Sequence, residues 1–175
     1  MLKKLVENQY LPFYQLMEDS FPVDERRPRQ KQLSLLLRED YNVFIHEING
    51  EMAGFLAVWE TPDFGFLEHF AVNRKFRNRG LGSKLVQALI VQTDKPIVIE
   101  IEPLEGEVEK RRAAFYERNG FFLSDYGYTQ PPLAQGLNPV PLVLMSYPKL
   151  LSEANYRTFK NWIFSTVYFD LNEYK

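Results

Sequence analysis

The stretch Glu68-His69-Phe70-Ala71-Val72-Asn73-Arg74-Lys75-Phe76-Arg77-Asn78-Arg79-Gly80-Leu81-Gly82-Ser83-Lys84-Leu85 decides how the rest of the chain is read. An apolar strand runs into a basic loop. Two glycines separated by one residue follow, and then a helix begins with Leu81, Leu85, Val86, Leu89 and Ile90 on one side. The first N–H groups of a helix have no acceptor within it and carry partial positive charge. Glycines let an anion approach that backbone closely, and Arg77 and Arg79 add forked cationic donors suited to phosphate. The pattern predicts a phosphate or pyrophosphate ligand. A P-loop would need Gly where Arg77 stands and Lys where Ser83 stands, and a dinucleotide fingerprint would need Gly where Leu85 stands, so neither motif is present.

What remains, Arg77-x-x-Gly80-x-Gly82, resembles the acetyl-CoA signature of the GNAT superfamily of N-acetyltransferases: Gln or Arg, two residues, Gly, one residue, Gly or Ala. Residues 67–72 resemble that family's central strand. A second stretch, Arg111-Arg112-Ala113-Ala114-Phe115-Tyr116-Glu117-Arg118-Asn119-Gly120-Phe121-Phe122, reads as a basic helix with an apolar stripe. A glycine C-cap at Gly120 stops it, and a strand follows. It is similar to the family's second CoA motif, with Phe115-Tyr116 in the aromatic-tyrosine positions. The family often has Asn where Glu109 stands and Ala where Arg112 stands, so a side-chain amide contact to the pantetheine arm is not carried over.

The resemblance implies an α/β fold with a mixed, mainly antiparallel central sheet, splayed around acetyl-CoA and flanked by helices. It implies acetyl-CoA as cosubstrate, no metal, and transfer of an acetyl group to a primary amine. Backbone groups of Phe70, Ala71 and Val72 are expected to hold the pantetheine arm. Arg77, Asn78, Arg79, Gly80, Leu81, Gly82 and Ser83 are expected to hold the pyrophosphate, and Phe115 to border the cofactor. Tyr116 is expected to protonate the leaving thiolate. Glu68 is a carboxylate among apolar neighbours on an alternating strand with Phe66, Phe70 and Val72, a costly placement unless it is partnered or functional. In several family members bases come from this strand face, so Glu68 is the expected general base. His69 faces the other way and is read as structural. Glu100 and Glu102 share one face of the next strand, as alternative bases acting through water or as a solvated face.

The 175 residues suit one domain with a real core, and the 21 basic and 23 acidic side chains imply no strong nucleic-acid or membrane field. No signal-like or membrane-spanning apolar run occurs, so a cytoplasmic location is expected. There is no cysteine, which removes disulfides, thiolate metal sites and a cysteine nucleophile. The two histidines, His46 and His69, are too far apart in sequence to suggest zinc.

In chain order, residues 2–6 are expected as a first strand. Tyr10, Phe13, Tyr14, Met17 and Phe21 recur at helical spacing. The charged loop 18–28, between prolines 22 and 28, is either a solvated turn or an acceptor gate whose carboxylates, Glu25 among them, recognise a cationic amine. A second helix is expected through Leu33, Leu36 and Leu37. Residues 41–48 and 52–59 are strands joined by Asn49-Gly50, a type I′ hairpin signal. Residues 121–126 are a strand, 127–139 a long loop covering the acceptor site or a plain surface excursion, with Tyr128 as an acceptor contact, and 140–147 a last strand. The acetyltransferase domain is thus expected at 1–149 and an aromatic-rich helical extension at 150–175. Tyr156, Phe159, Trp162, Ile163 and Val167 would give that extension an apolar face covered by its own domain or by a second copy in a homodimer. The expected acceptor is a small-molecule amine. A peptide acceptor, or a CoA-binding sensor without catalysis, are the alternatives.

Overall fold

The computed structural model describes residues 2–169; the end of the expected extension, 170–175, lies outside the described residues. The chain divides into two compact units. The first holds Met1–Pro22 and Arg29–Ile99, the second Val23–Pro28 and Glu100–Lys175.

In the first unit, β1 (Lys3–Lys4), β2 (Tyr41–Ile48), β3 (Glu51–Glu60) and β4 (Gly65–Val72) form an antiparallel meander. Asn49 and Gly50 both adopt positive φ, 53° and 79°, as a type I′ turn requires. β4 then pairs in parallel with β5 (Ile97–Ile101), Gly65 with Ile97 through Leu67 with Ile99. The parallel pairing thus occupies the start of β4. Helix α1 (Tyr10–Ser20) buries Tyr10, Phe13, Tyr14, Leu16 and Met17, and the Phe13 ring meets Phe55 of β3 edge-on at 4.8 Å. Helix α2 (Arg29–Leu35) departs from expectation. It stops before Leu36, its buried residue is Gln32, and Leu33 and Leu37 are exposed. The Gln32 amide donates to the buried Tyr41 hydroxyl at 2.6 Å, so a polar contact holds this short helix in place of the expected leucine face.

Helix α3 (Leu81–Ile90) buries Leu81, Leu85, Val86 and Leu89. Its closeness to the sheet depends on Gly54 of β3. A Cβ there would meet the Ala71 carbonyl oxygen at 2.8 Å and Leu85 Cδ1 at 2.9 Å, inside van der Waals contact. A larger residue at 54 would push the start of α3 off β4.

In the second unit β5 lends its last residues, Glu100 and Ile101, to a strand order β5-β7-β6, where β6 is Phe122–Gln130 and β7 is Val140–Tyr147. Helix α4 (Glu107–Arg118) precedes β6, and Gly120, at φ 90°, reverses the chain between them. β6 and β7 pair antiparallel. The sequence predicted a loop from 127, but β6 continues to Gln130 and the loop is only 131–139. A bulge explains the difference. The register jumps between Leu123 and Gly127, the Ser124 hydroxyl fills the gap by donating to the Leu144 carbonyl at 2.9 Å, and pairing then resumes. At Gly127 a Cβ would lie 2.3 Å from the Leu142 carbonyl oxygen, so this glycine marks close backbone approach rather than a turn. Helix α5 (Glu153–Trp162), capped by the Ser152 side chain, continues as a π-helical stretch, Ile163–Val167. Phe159, Ile163, Val167 and Tyr168 are buried and Trp162 is half-buried. Among the described residues no helix is long and apolar enough to cross a membrane.

Candidate active site

In the first unit the basic loop is a compact backbone turn. The Asn73 side chain accepts from the Lys75 N–H at 3.1 Å and starts a short 3-10 turn, Arg74–Phe76. Arg77 Nε donates to the Val72 carbonyl at 2.9 Å and ties the loop back to the end of β4. Asn78 and Gly80 both adopt left-handed φ, 60° and 71°. Gly80 then caps α3 without any side-chain contribution, and the first hydrogen bond of the helix runs from Lys84 N–H to the Gly80 carbonyl at 3.2 Å. The Leu81 and Gly82 N–H groups therefore lie outside the helical ladder, at its positive end. A Cβ on Gly80 would meet open space within 4 Å, so the approach to this end is unobstructed. Arg77 and Arg79 are exposed beside it. Arg77, Arg74, Asn73, Leu16, Asp19 and Ser20 line a cavity of ≈ 380 Å³. One arginine nitrogen is spent on loop geometry, which the sequence did not reveal.

Glu68 has the partner that burial demands. Its side chain is only 5% exposed, and the Trp59 indole N–H donates to its Oε2 at 2.9 Å. His69 Nδ1 lies 3.8 Å from the same oxygen, and the His69 ring packs edge-on against Phe21 at 4.8 Å. Glu68 sits where the β3–β4 register shifts: Ala57 pairs with His69 and Val58 with Leu67, leaving Glu68 as the inserted residue. Bulges re-aim side chains in this way. The expected alternation holds for Glu68, Phe70 and Val72, which as whole residues are less buried than Leu67, His69 and Ala71 between them, but the bulge separates Phe66 from that series, and Phe66 is buried.

The second unit carries a cluster of ionisable side chains. Tyr116 is buried on α4, its ring 5.1 Å from Phe115 and 5.5 Å from Phe121. Burial pushes its hydroxyl above the usual tyrosine pKa, with Arg112 acting against the shift and Glu102 with it. Arg112 pairs with Glu102, which gives the departure at 112 a local function. Glu25 is raised to about 7, first by burial and then by the nearby Glu102 charge, with Arg112 opposing. Asp24 is held below the ordinary carboxylate range by Asn138, whose backbone and side-chain N–H groups donate to it at 2.8 and 3.1 Å. The Gln130 amide donates to the Asp24 carbonyl at 3.0 Å. Residues 23–28 are thereby fastened to the end of β6 and to the 131–139 loop.

Glu100 is neither a plain solvated face nor an isolated base. Its Oε1 accepts from the Tyr128 hydroxyl and, at 2.8 Å, from the Tyr168 hydroxyl. Burial and the Glu100 charge drive the Tyr128 hydroxyl well above its ordinary pKa. Sequence reasoning missed Trp59, Glu102 as Arg112's partner, Asn138 and Tyr168. Each lies far along the chain from its partner or carries no motif. Among the described residues no group of three His, Cys, Asp or Glu side chains could hold a metal ion.

The profile of the acetyltransferase (GNAT) family matches residues 10–121, spanning β2 to β4, the glycine turn and the α4 tyrosine. The chain belongs to that family. It is 29% identical over 145 residues to the protein named "Putative acetyltransferase YjbC" of Bacillus subtilis (strain 168), covering 81% of this chain and 73% of that one. A solved structure named "Putative acetyltransferase from GNAT family" from Bacteroides thetaiotaomicron superposes with a TM-score of 0.86 at 29% identity, over 96% of this chain and 98% of that one. A GNAT family acetyltransferase from Elizabethkingia anophelis, solved with acetyl-CoA bound, shares the fold with a TM-score of 0.60 at 17% identity, over 83% and 95% of the two chains. The chain is thus a GNAT N-acetyltransferase with the α/β, mixed-sheet fold of that family.

Proposed function

We propose that this acetyltransferase moves the acetyl group of acetyl-CoA directly to the primary amine of a small molecule within a ternary complex. The observation that carries the reading is the turn at 77–83. Two left-handed residues, Asn78 and the unobstructed Gly80, and a helix start provide main-chain donors for a pyrophosphate. Leu81, Gly82 and Ser83 would donate from the backbone, with Arg77, Asn78 and Arg79 around them. Phe70, Ala71 and Val72 are proposed to hold the pantetheine arm, and Phe115 to border the cofactor. The acetyl-CoA in the Elizabethkingia anophelis relative supports the cosubstrate. The reading needs no metal.

An amine is mostly protonated at neutral pH and must lose a proton before it attacks. Glu68, hydrogen-bonded to the Trp59 indole, is the proposed acceptor of that proton, directly or through water. The free amine then attacks the thioester carbonyl. Backbone N–H groups near Phe70 and Val72 polarise its oxygen; as the tetrahedral intermediate collapses, the C–S bond breaks, CoA leaves as the thiolate, and the nitrogen gives up its remaining extra proton to water. Tyr116 remains protonated through the working pH range, because burial raises its pKa. It therefore always has a hydrogen to donate to the thiolate, whose own conjugate acid has a pKa near ~8.5. Since the Tyr116 phenol is the weaker acid of the two, it acts chiefly as a strong hydrogen-bond donor to the leaving sulfur. With no cysteine in the chain, direct transfer is preferred to an acyl-cysteine route.

Glu25 and Tyr128 are proposed to recognise the amine. The fastening of 23–28 to Gln130 and Asn138 supports an enclosed, small-molecule acceptor site. Acetyl-CoA with a panel of benzylamine, tyramine, spermidine and an alanine-ended peptide, followed by thiol release, tests the proposal. Turnover of one or more of the small amines is expected. Turnover of the peptide alone would replace the small-molecule acceptor, and release with no amine would remove the transferase reading.

A further inference from the structure

The family match ends at residue 121, yet the C-terminal segment beyond α5 reaches a carboxylate on β5. Glu100 Oε1 accepts from two phenols, Tyr128 of β6 and Tyr168 of the segment. Tyr168 is 2% exposed. Phe164, one turn earlier, stands edge-on to both rings, its centroid 5.4 Å from Tyr128 and 5.5 Å from Tyr168. The Phe159 ring lies 6.4 Å from Tyr128, and the Tyr156 hydroxyl donates to the Gly127 carbonyl at 2.9 Å. Arg27, from the segment that carries Glu25, donates to the Val167 carbonyl at 3.4 Å. One stretch of chain therefore touches both the strand of Tyr128 and the segment of Glu25.

A segment that only covered apolar surface would be served equally well by phenylalanine at 168. A buried hydroxyl aimed at a carboxylate on another element has a different consequence. A carboxylate withdrawn from water needs donors. Two O–H groups sharing one oxygen fix each other's geometry through it. Without the Tyr168 donor, Glu100 draws more strongly on Tyr128 and turns toward it, and the Tyr128 ring loses its defined angle.

We propose that Tyr168 is a positioning residue for the acceptor: by sharing Glu100 with Tyr128 it sets the orientation of Tyr128, so the C-terminal segment helps decide which amine is accepted. This rests on the reading of Tyr128 as an acceptor-side residue. The test uses the full chain as Tyr168→Phe, Tyr128→Phe and the double variant, with benzylamine, tyramine and spermidine as probes and melting temperature as control. Tyr168→Phe should raise KM for the best of these amines about tenfold, the size of one lost hydrogen bond to a charged group. KM for acetyl-CoA should stay within about twofold, since the cofactor turn is untouched. The double variant should be no worse than the worse single one, because both act through Glu100. Glu100→Gln, which keeps shape and acceptor but removes charge, should reproduce the amine effect if Tyr168→Phe fails to fold. A shift with Tyr128→Phe but none with Tyr168→Phe overturns the positioning role and leaves Tyr128 standing. No shift with Tyr128→Phe removes the reading beneath it. A loss of kcat in step with melting temperature, at unchanged KM, marks Tyr168 as a packing residue. Absence of turnover with all three amines overturns both readings.

Discussion

The turn at 77–83 and the cluster around Glu25, Glu100 and Glu102 solve opposite problems with different materials. The turn, in the first unit, offers main-chain donors: two left-handed residues, Asn78 and the capping Gly80, lead into the start of α3. The cluster, in the second unit, is made of side chains from the short 3-10 turn Val23–Glu25, two strands, a helix and the C-terminal segment. A backbone site depends on where glycines fall, so many sequences can build it. A side-chain cluster depends on each member's partner, and replacing one member changes the acid–base behaviour of the others. If the turn is the cofactor site and the cluster the acceptor site, as proposed, the turn should therefore tolerate changes in side-chain chemistry that do not alter backbone, while the cluster should not.

The largest expected effect lies at Tyr116. Tyr116→Phe keeps the ring against Phe115 and Phe121 but removes the donor. Removing one hydrogen-bond donor to charge that develops in the transition state costs about 10²–10³-fold, so kcat should fall on that order with KM for acetyl-CoA little changed. Because burial raises its pKa, no falling limb from Tyr116 should appear below pH ~10 in the wild-type profile. Glu68→Gln should also lower kcat, mostly where the amine is protonated, and a less basic amine should recover part of it. A fall in melting temperature proportionate to lost activity would instead make both residues part of the core.

These contrasts explain what the sequence could reveal. The meander, the Asn49-Gly50 hairpin, the glycine turn and the Gly120 stop are local: each is a run of residues with a turn chemistry of its own, and each forms as read. Residue 127 was misread because glycine serves two purposes. At Gly120 it supplies a positive φ, whereas at Gly127 it makes room for a carbonyl oxygen, and a sequence looks the same in either case. Glu68 was legible as an oddity but not as a bulged residue partnered by Trp59, since register belongs to a strand pair. Asp24 with Asn138 and Glu100 with Tyr168 were illegible, because their partners lie 114 and 68 residues away without periodicity to announce them.

A smaller effect should appear at Glu25. Its folded-state pKa, about 7, exceeds the ordinary value of 4.5, so the protonated form is preferred in the folded protein. The associated stability is fully present below the ordinary pKa and is lost as pH rises through about 7. Glu25→Gln should flatten that dependence, giving a higher melting temperature than wild type at pH 8 and little difference at pH 4. In activity, the wild-type kcat/KM for the amine should rise severalfold across pH 6–8 beyond the amine's own titration, and the variant should lose that component. Equal pH slopes for both proteins would detach Glu25 from the acceptor.

Isothermal calorimetry of CoA binding to wild type and Gly82→Glu tests the central claim most directly. Gly82 is the second residue of α3 and fills no core position, so the variant should keep its fold while placing a carboxylate where the phosphates approach the helix start. The account predicts micromolar-range binding for wild type, as is usual for enzyme substrates, and no measurable heat for the variant at the same concentrations. Unchanged affinity in a folded Gly82→Glu protein would contradict it.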